Sequence, residues 1–184
     1  LDDVRLEAVL EEGSRLVGEC EIARCARRIR KILLDPCDAP PAPGVCEAIL
    51  EADLVVLGPG SVYTSIVPNL VVREVGEAIR RTRATVILVA NLVSERGAAA
   101  ELGLADHLAV IEEHAAGRIV DAIVVHEGLV DELTEARYRV EGSRPLSWPQ
   151  EGPSHVRIFR RHLTGVGPKL RHDPAKTAEA VVEA

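Results

Sequence analysis

The residues of this chain with the clearest chemical capacity form the run Leu57-Gly58-Pro59-Gly60-Ser61-Val62-Tyr63-Thr64-Ser65-Ile66-Val67-Pro68-Asn69-Leu70. Gly58 and Gly60 let the backbone approach an anion without interference from a Cβ, and the hydroxyls of Ser61, Thr64 and Ser65 are donors that suit phosphate oxygens. A helix that starts behind them adds its unpaired first amides and the positive end of its dipole. The run lacks the Gly-Lys-Ser/Thr of a Walker A loop and the spacing of the G-x-G-x-x-G dinucleotide fingerprint, so its chemistry indicates phosphate without indicating whose. A tight strand-to-helix turn capped by a hydroxyl is the alternative reading of the same residues.

Three further places hold candidate ligands. Asn91 follows a second apolar run, and its side-chain amide could reach a base, a sugar or a phosphate; an ordinary turn-forming Asn is the alternative. Asp106-His107 could line the same cleft or be a polar pair satisfied on its own helix. Arg171, in Arg171-His172-Asp173, has the forked geometry for a bidentate diphosphate contact, against the alternative of a solvated arginine. His107 and His114 share a helix face but lie two turns apart, too far for joint ligation, and no metal site is expected. No catalytic residue can be assigned from one sequence, because spatial adjacency is invisible in it.

The elements that would position these residues follow from periodicity. Apolar-rich stretches at 4–10 and 15–22 flank Glu11-Glu12-Gly13-Ser14 as a hairpin, and 28–34 alternates as a third strand. Pro36, Pro40, Pro41 and Pro43 make a stiff connection to a helix that starts at Pro43-Gly44 and ends by Ala52. From there the order becomes strand (54–57, expected to be buried on both faces), helix (69–83), strand (85–90), helix (101–115) and strand (119–125), the signature of a parallel sheet. This places the glycine loop at the carboxyl edge of the sheet, where open α/β proteins hold ligands. Residues 139–153 read as a loop and 156–163 as an edge strand. Asp173-Pro174 reads as the cap and first position of a last helix.

Bulk properties narrow the class. At 184 residues and 47% hydrophobic, with only 2% aromatic, the chain can bury a core of small branched side chains in one α/β domain. The net charge of −7 argues against nucleic acid as a partner. The basic runs Arg24, Arg27, Arg28, Arg30, Lys31 and Arg80, Arg81, Arg83 have no interleaved aromatics and read as solvated element ends. Cys20, Cys25, Cys37 and Cys46 are separated by four, eleven and eight residues, which makes no C-x-x-C pair, so they read as free thiols of a reducing compartment. Neither an apolar leader nor a membrane-length apolar run is present, so a cytoplasmic location and no membrane partner are expected. Met is absent even at position 1, which suggests a segment upstream of Leu1.

The segment from Ala52 to Leu70, above all Gly58-Pro59-Gly60-Ser61-Val62-Tyr63-Thr64-Ser65, resembles the signature of the YvcK-type gluconeogenesis factors, relatives of the CofD 2-phospho-L-lactate transferases. Gly18-Glu19, Asn91-Leu92, Asp106-His107-Leu108 and Arg171-His172-Asp173-Pro174 resemble family landmarks in the same order. The resemblance implies a Rossmann-like α/β fold, a parallel sheet flanked by helices, that binds a nucleotide or a UDP-type nucleotide sugar. It also implies a cytoplasmic role in cell shape and wall-precursor supply. The transferase branch moves a phospholactyl group from a guanylated donor to a deazaflavin with Mg2+; Ser61-Val62-Tyr63 is closer to the YvcK branch. The family's Gly-Gly-Gly-Thr-Gly turn and Asp-Asp pair do not occur here, so an amino-terminal half is expected outside the chain. Where the family has Gly-Glu-Thr, this sequence has Gly97-Ala98-Ala99.

The expectation is therefore a single, partial nucleotide-binding α/β domain over residues 1–184. Its phosphate and nucleotide ligands would be Gly58, Pro59, Gly60, Ser61, Thr64, Ser65, Asn69, Asn91 and Arg171. It would act as a UDP-sugar-binding regulator that needs no cofactor, or else as a CofD-like phosphotransferase using Mg2+. The expected partners are a nucleotide or nucleotide sugar and a second copy of the chain in a homodimer, with neither nucleic acid nor membrane.

Overall fold

The computed structural model describes residues 4–149, 152–165, 167 and 169–184. The chain builds two sheets. The first is antiparallel, in the order β2-β1-β3, from β1 (Arg5–Leu10), β2 (Arg15–Val17) and β3 (Ile29–Asp35). The second is parallel, in the order β4-β5-β6-β7, from β4 (Leu54–Leu57), β5 (Thr85–Val89), β6 (Ala122–His126) and β7 (Arg157–Arg161).

Helices α1 (Glu19–Arg24) and α2 (Val45–Glu51) belong to the first part of the chain. A π turn (Val62–Ile66) runs into α3 (Val67–Leu70) and then α4 (Arg73–Arg81) between β4 and β5. A 3-10 turn (Gly97–Ala99) and α5 (Leu104–His114) link β5 to β6, α6 (Glu132–Val140) precedes β7, and α7 (Pro174–Glu183) closes the chain.

Strand alternation decides how the central strands are buried. In β5, Val86 and Leu88 face a core shared with Leu10, Ile22 and Ile32 of the antiparallel layer, while Ile87 and Val89 face α7 with Ala180 and Val181. In β6, Ile123 and Val125 join the first core, and Ala122 and Val124 the second. Each such Val, Leu or Ile contributes about 1.5–3 kcal/mol by leaving water, so β5 and β6 are held from both sides. This is why they read as unbroken apolar runs.

Several expectations need correction. β4 is not buried on both faces: it is a sheet edge, and Val56 is 44% exposed. The second strand of the hairpin stops at Val17, because the chain turns at Gly18 and enters α1. The helix expected over 69–83 is two helices, broken where Val72 adopts an extended backbone; adjacent β-branched Val71 and Val72 lose rotamer freedom in a helix. Helix α6 falls partly in the stretch expected as loop. Only Thr134 of it is buried, and its apolar Leu133 and Val140 are exposed, so it packs no apolar face into the core. Gln150 and Glu151 of that stretch lie outside the described residues. The edge strand β7 and the Asp173 cap of α7, whose carboxylate accepts from the amides of Ala175 and Lys176 at 3.0 Å, match expectation.

His114 ties the two layers together. Its Nδ1 lies 2.7 Å from the Val110 carbonyl, so Nδ1 carries the proton and Nε2 accepts from the Ile32 amide at 3.0 Å. His114→Ala is expected to strand that part-buried amide and cost about 1–3 kcal/mol. Urea denaturation followed by circular dichroism checks it; an unchanged midpoint would rule out the strut.

Candidate functional site

The glycine loop leaves the carboxyl end of β4 and starts the π turn, as the topology requires. Gly58 has φ +78°, and a Cβ there would lie 3.2 Å from the Val89 carbonyl oxygen. Its missing side chain thus serves the turn beside β5, and Gly58 is not on the cleft wall. Pro59, Gly60, Ser61 and Thr64 do line a cleft of about 700 Å³, with Asn91 and Arg171 on the same cavity. Ser65 and Asn69 are exposed and do not line it; the Asn69 Nδ2 donates to the Ser65 carbonyl at 2.7 Å.

Asn91 sits one strand over, and its amide is engaged by the loop itself. Nδ2 donates to the Gly60 carbonyl at 3.0 Å and Oδ1 accepts from the Gly60 amide at 3.1 Å. This two-point contact takes both the amide and the carbonyl of one residue, as a facing strand residue would. Glu95, four residues on, accepts from the Val62 amide at 2.9 Å and from Asn91 Nδ2 at 3.3 Å through the same Oε1. Two loop amides are therefore used internally. Among the described residues, those of Ser61 and Thr64 make no hydrogen bond to the chain, and the hydroxyls beside them line the open cleft.

The facing wall comes from the segment before α7. Leu170, Arg171 and His172 border the cleft. The segment is fixed by the Leu170 amide donating to the Tyr138 hydroxyl at 2.9 Å and by His172 Nε2 at 3.2 Å from the Ala90 carbonyl. Arg171 is exposed and makes no ion pair among the described residues, which leaves its guanidinium available. Burial holds the His172 imidazole below the ordinary histidine range, and burial followed by the His162 charge does the same to His126 at the end of β6.

The remaining wall is apolar. Ile22 and Ala23 of α1 meet Ala98 and Ala99, the positions where the polar Glu-Thr pair of the resembled signature is absent. Gly97 has φ +70°, and a Cβ there would stand 2.5 Å from the Cys25 carbonyl oxygen, so only glycine lets this turn press against α1. Asp106 and His107 split in role. Asp106 accepts from the Gly103 amide at 2.9 Å at the start of α5, while His107 is buried behind the loop and not on the cleft. All four cysteines are free, and no group of three or more His, Cys, Asp or Glu side chains is placed to hold a metal among the described residues. No helix among them is long and apolar enough to cross a membrane.

Sequence reasoning located the loop, Asn91 and Arg171, and missed Glu95 and Tyr138. For Glu95 the only available signal was its place four residues after Asn91 in the same connection. For Tyr138 it was one of only two tyrosines in the chain, on a helix that was not anticipated.

Comparison with known proteins gives a consistent result. The family described as 2-phospho-L-lactate transferase CofD matches residues 1–160. A gluconeogenesis factor of Bacillus subtilis is 31% identical over 183 residues, covering 98% of this chain and 58% of the relative. One from Halalkalibacterium halodurans is 32% identical over 189 residues, covering 97% and 56%. The crystal structure of a member of the UPF0052 family from Bacillus halodurans superimposes with a TM-score of 0.89 at 31% identity, over 97% of this chain and 58% of that one. The chain thus spans about half the length of the relatives it matches.

Two outcomes follow from the geometry. Asn91→Ala should cost about 1–3 kcal/mol by stranding the backbone amide and carbonyl of Gly60. Asn91→Asp should cost as much, since a carboxylate would face the Gly60 carbonyl; chemical denaturation measures both. For His172 and His126 the folded state disfavours the proton, so their contribution is complete above about pH 6.5 and declines as pH falls through the lowered values. The denaturation midpoint should drop from pH 7 to pH 5, and His172→Gln should flatten part of that slope; a midpoint independent of pH would contradict the assignment.

Proposed function

Because the chain belongs to the CofD family, alongside the gluconeogenesis factors, we propose that it binds a UDP-type nucleotide sugar and takes the diphosphate at the loop from Gly60 to Thr64. The observation that carries this reading is the open cleft at the carboxyl edge of β4 and β5. There the free amides and hydroxyls of Ser61 and Thr64 share one cavity with the exposed guanidinium of Arg171. Donors at the start of a helical segment select a negatively charged group. A guanidinium adds a forked, charge-assisted contact to it. The apolar patch of Ile22, Ala98 and Ala99 is suited to packing a ring, of the base or of the sugar.

Asn91 supports the site by shaping it. Both ends of its amide are engaged with Gly60, so its contribution to binding is the conformation of the loop. In this reading the protein is a cytoplasmic regulator of cell shape and wall-precursor metabolism. It senses the nucleotide sugar without consuming it, and it works as a homodimer.

A second reading is favoured by the family description itself: a phosphotransferase that moves a phospho-acid group from a nucleotide-activated donor to a deazaflavin with Mg2+. Release of nucleoside monophosphate in the presence of the deazaflavin and Mg2+ separates it from the first.

Isothermal titration of the full-length protein with UDP-N-acetylglucosamine should give saturable heat. Arg171→Ala should weaken binding about ten- to a hundredfold, as expected for loss of hydrogen bonds to a charged group. A folded protein that gives no heat with any UDP-sugar would end this proposal.

A further inference from the structure

Behind the glycine loop, two buried polar atoms have complementary needs. Trp148 Nε1 can only donate. His107 Nδ1 lies 2.9 Å from the Gly103 carbonyl and must carry the ring hydrogen, which leaves Nε2 as an acceptor. Both side chains are only 8% exposed, and neither Trp148 Nε1 nor His107 Nε2 has a hydrogen-bond partner. The two rings meet edge-on with centroids 5.9 Å apart, and both border one small cavity of about 10 Å³.

The surrounding side chains do not meet these needs. Glu95 Oε1, at 3.6 Å from His107 Nε2, is itself an acceptor, and it already takes the Val62 amide at 2.9 Å and Asn91 Nδ2 at 3.3 Å. A second hydrogen on the imidazole would give Nε2 something to offer Glu95, but the indole N–H would stay unmatched. Gly60 and Asn91 border the same cavity and are bonded to each other. The other walls include Ile66, Leu88, Leu104 and Ile111, which offer no polar side chain. An orphaned donor and an orphaned acceptor on one cavity call for a group that accepts from the first and donates to the second. Water does both, and a cavity of about 10–15 Å³ with two to four polar partners is what one water requires.

We propose that this cavity is the site of one ordered water, which accepts from Trp148 Nε1 and donates to His107 Nε2. Trp148 ends a segment laid beside residues 92–94, where the Ser94 amide donates to the Arg144 carbonyl at 2.8 Å and the Leu146 amide to the Leu92 carbonyl at 2.9 Å. The water joins the end of that segment to α5, against the Gly60–Asn91 brace. It is a structural site, independent of the ligand that the cleft takes.

The test uses 15N-labelled full-length protein, with the Trp148 indole signal assigned by its loss in Trp148→Phe. At pH 7 the indole hydrogen should show a cross-peak to water, with the sign of a molecule that tumbles with the protein. A high-resolution crystal structure should show one water within hydrogen-bond reach of both Trp148 Nε1 and His107 Nε2. His107→Phe keeps an aromatic ring but removes the acceptor, and in it the cross-peak should be lost. A wild-type indole signal with no water cross-peak overturns the proposal without reference to the variant. So does density that shows the cavity dry, or the indole N–H bonded to a protein carbonyl. An Nε2 whose 15N shift shows it carrying hydrogen at pH 7 also overturns it, since water cannot donate to such a nitrogen. A cross-peak that survives in His107→Phe overturns the bridge to α5.

Discussion

The site depends on a side chain standing in for a strand. Beyond the carboxyl end of β4 the backbone leaves the sheet, and Gly60 would have no ladder partner. Asn91, just past the end of the neighbouring strand, supplies one acceptor and one donor at 3.1 and 3.0 Å. An asparagine amide has the same polarity as a peptide group, so the pairing continues the β4–β5 ladder by one step through a side chain. Glu95 extends the brace to Val62. The loop is thereby braced at its first turn, with the Ser61 and Thr64 amides left without a partner in the described chain.

This division of labour explains what could be read from the sequence. The parallel layer was legible because burial on both faces forces apolar runs at β5 and β6, and the position of the loop was legible because its glycines and hydroxyls fall between a strand and a helix. Arg171 was singled out through the order of landmarks in the resembled family, and the structure puts it on the same cavity as the loop, just before α7. The role of Asn91 was not legible. Its type and position suit a ligand contact and a backbone brace equally, and only distances separate them.

Other features escaped for particular physical reasons. The edge position of β4 left no mark on Leu54-Val55-Val56-Leu57, since an exposed Val56 looks like a buried one in a sequence. Helix α6 leaves Leu133 and Val140 exposed, and is held by its Asp131 cap to the Thr134 amide at 3.0 Å and by the Glu135–Arg139 pair at 2.9 Å. The contact of His107 with Trp148 joins distant parts of the chain through a fold that brings α5 behind the loop. Resemblance to the gluconeogenesis factors supplied the order of landmarks, and geometry supplied their connections.

The contact of Gly97 with α1 has a wider consequence. Because that turn presses on the Cys25 carbonyl with no room for a methyl group, the separation between α1 and the connection after β5 is set to a single value. Ile22 and Ala23 lie on one side of that junction and Ala98 and Ala99 on the other, so the aperture of the cavity is gauged by backbone contact. Under the proposed reading, selectivity for the size of a bound ring would be a property of how the antiparallel layer seats. Substitutions in the hairpin would then retune it without touching the glycine loop.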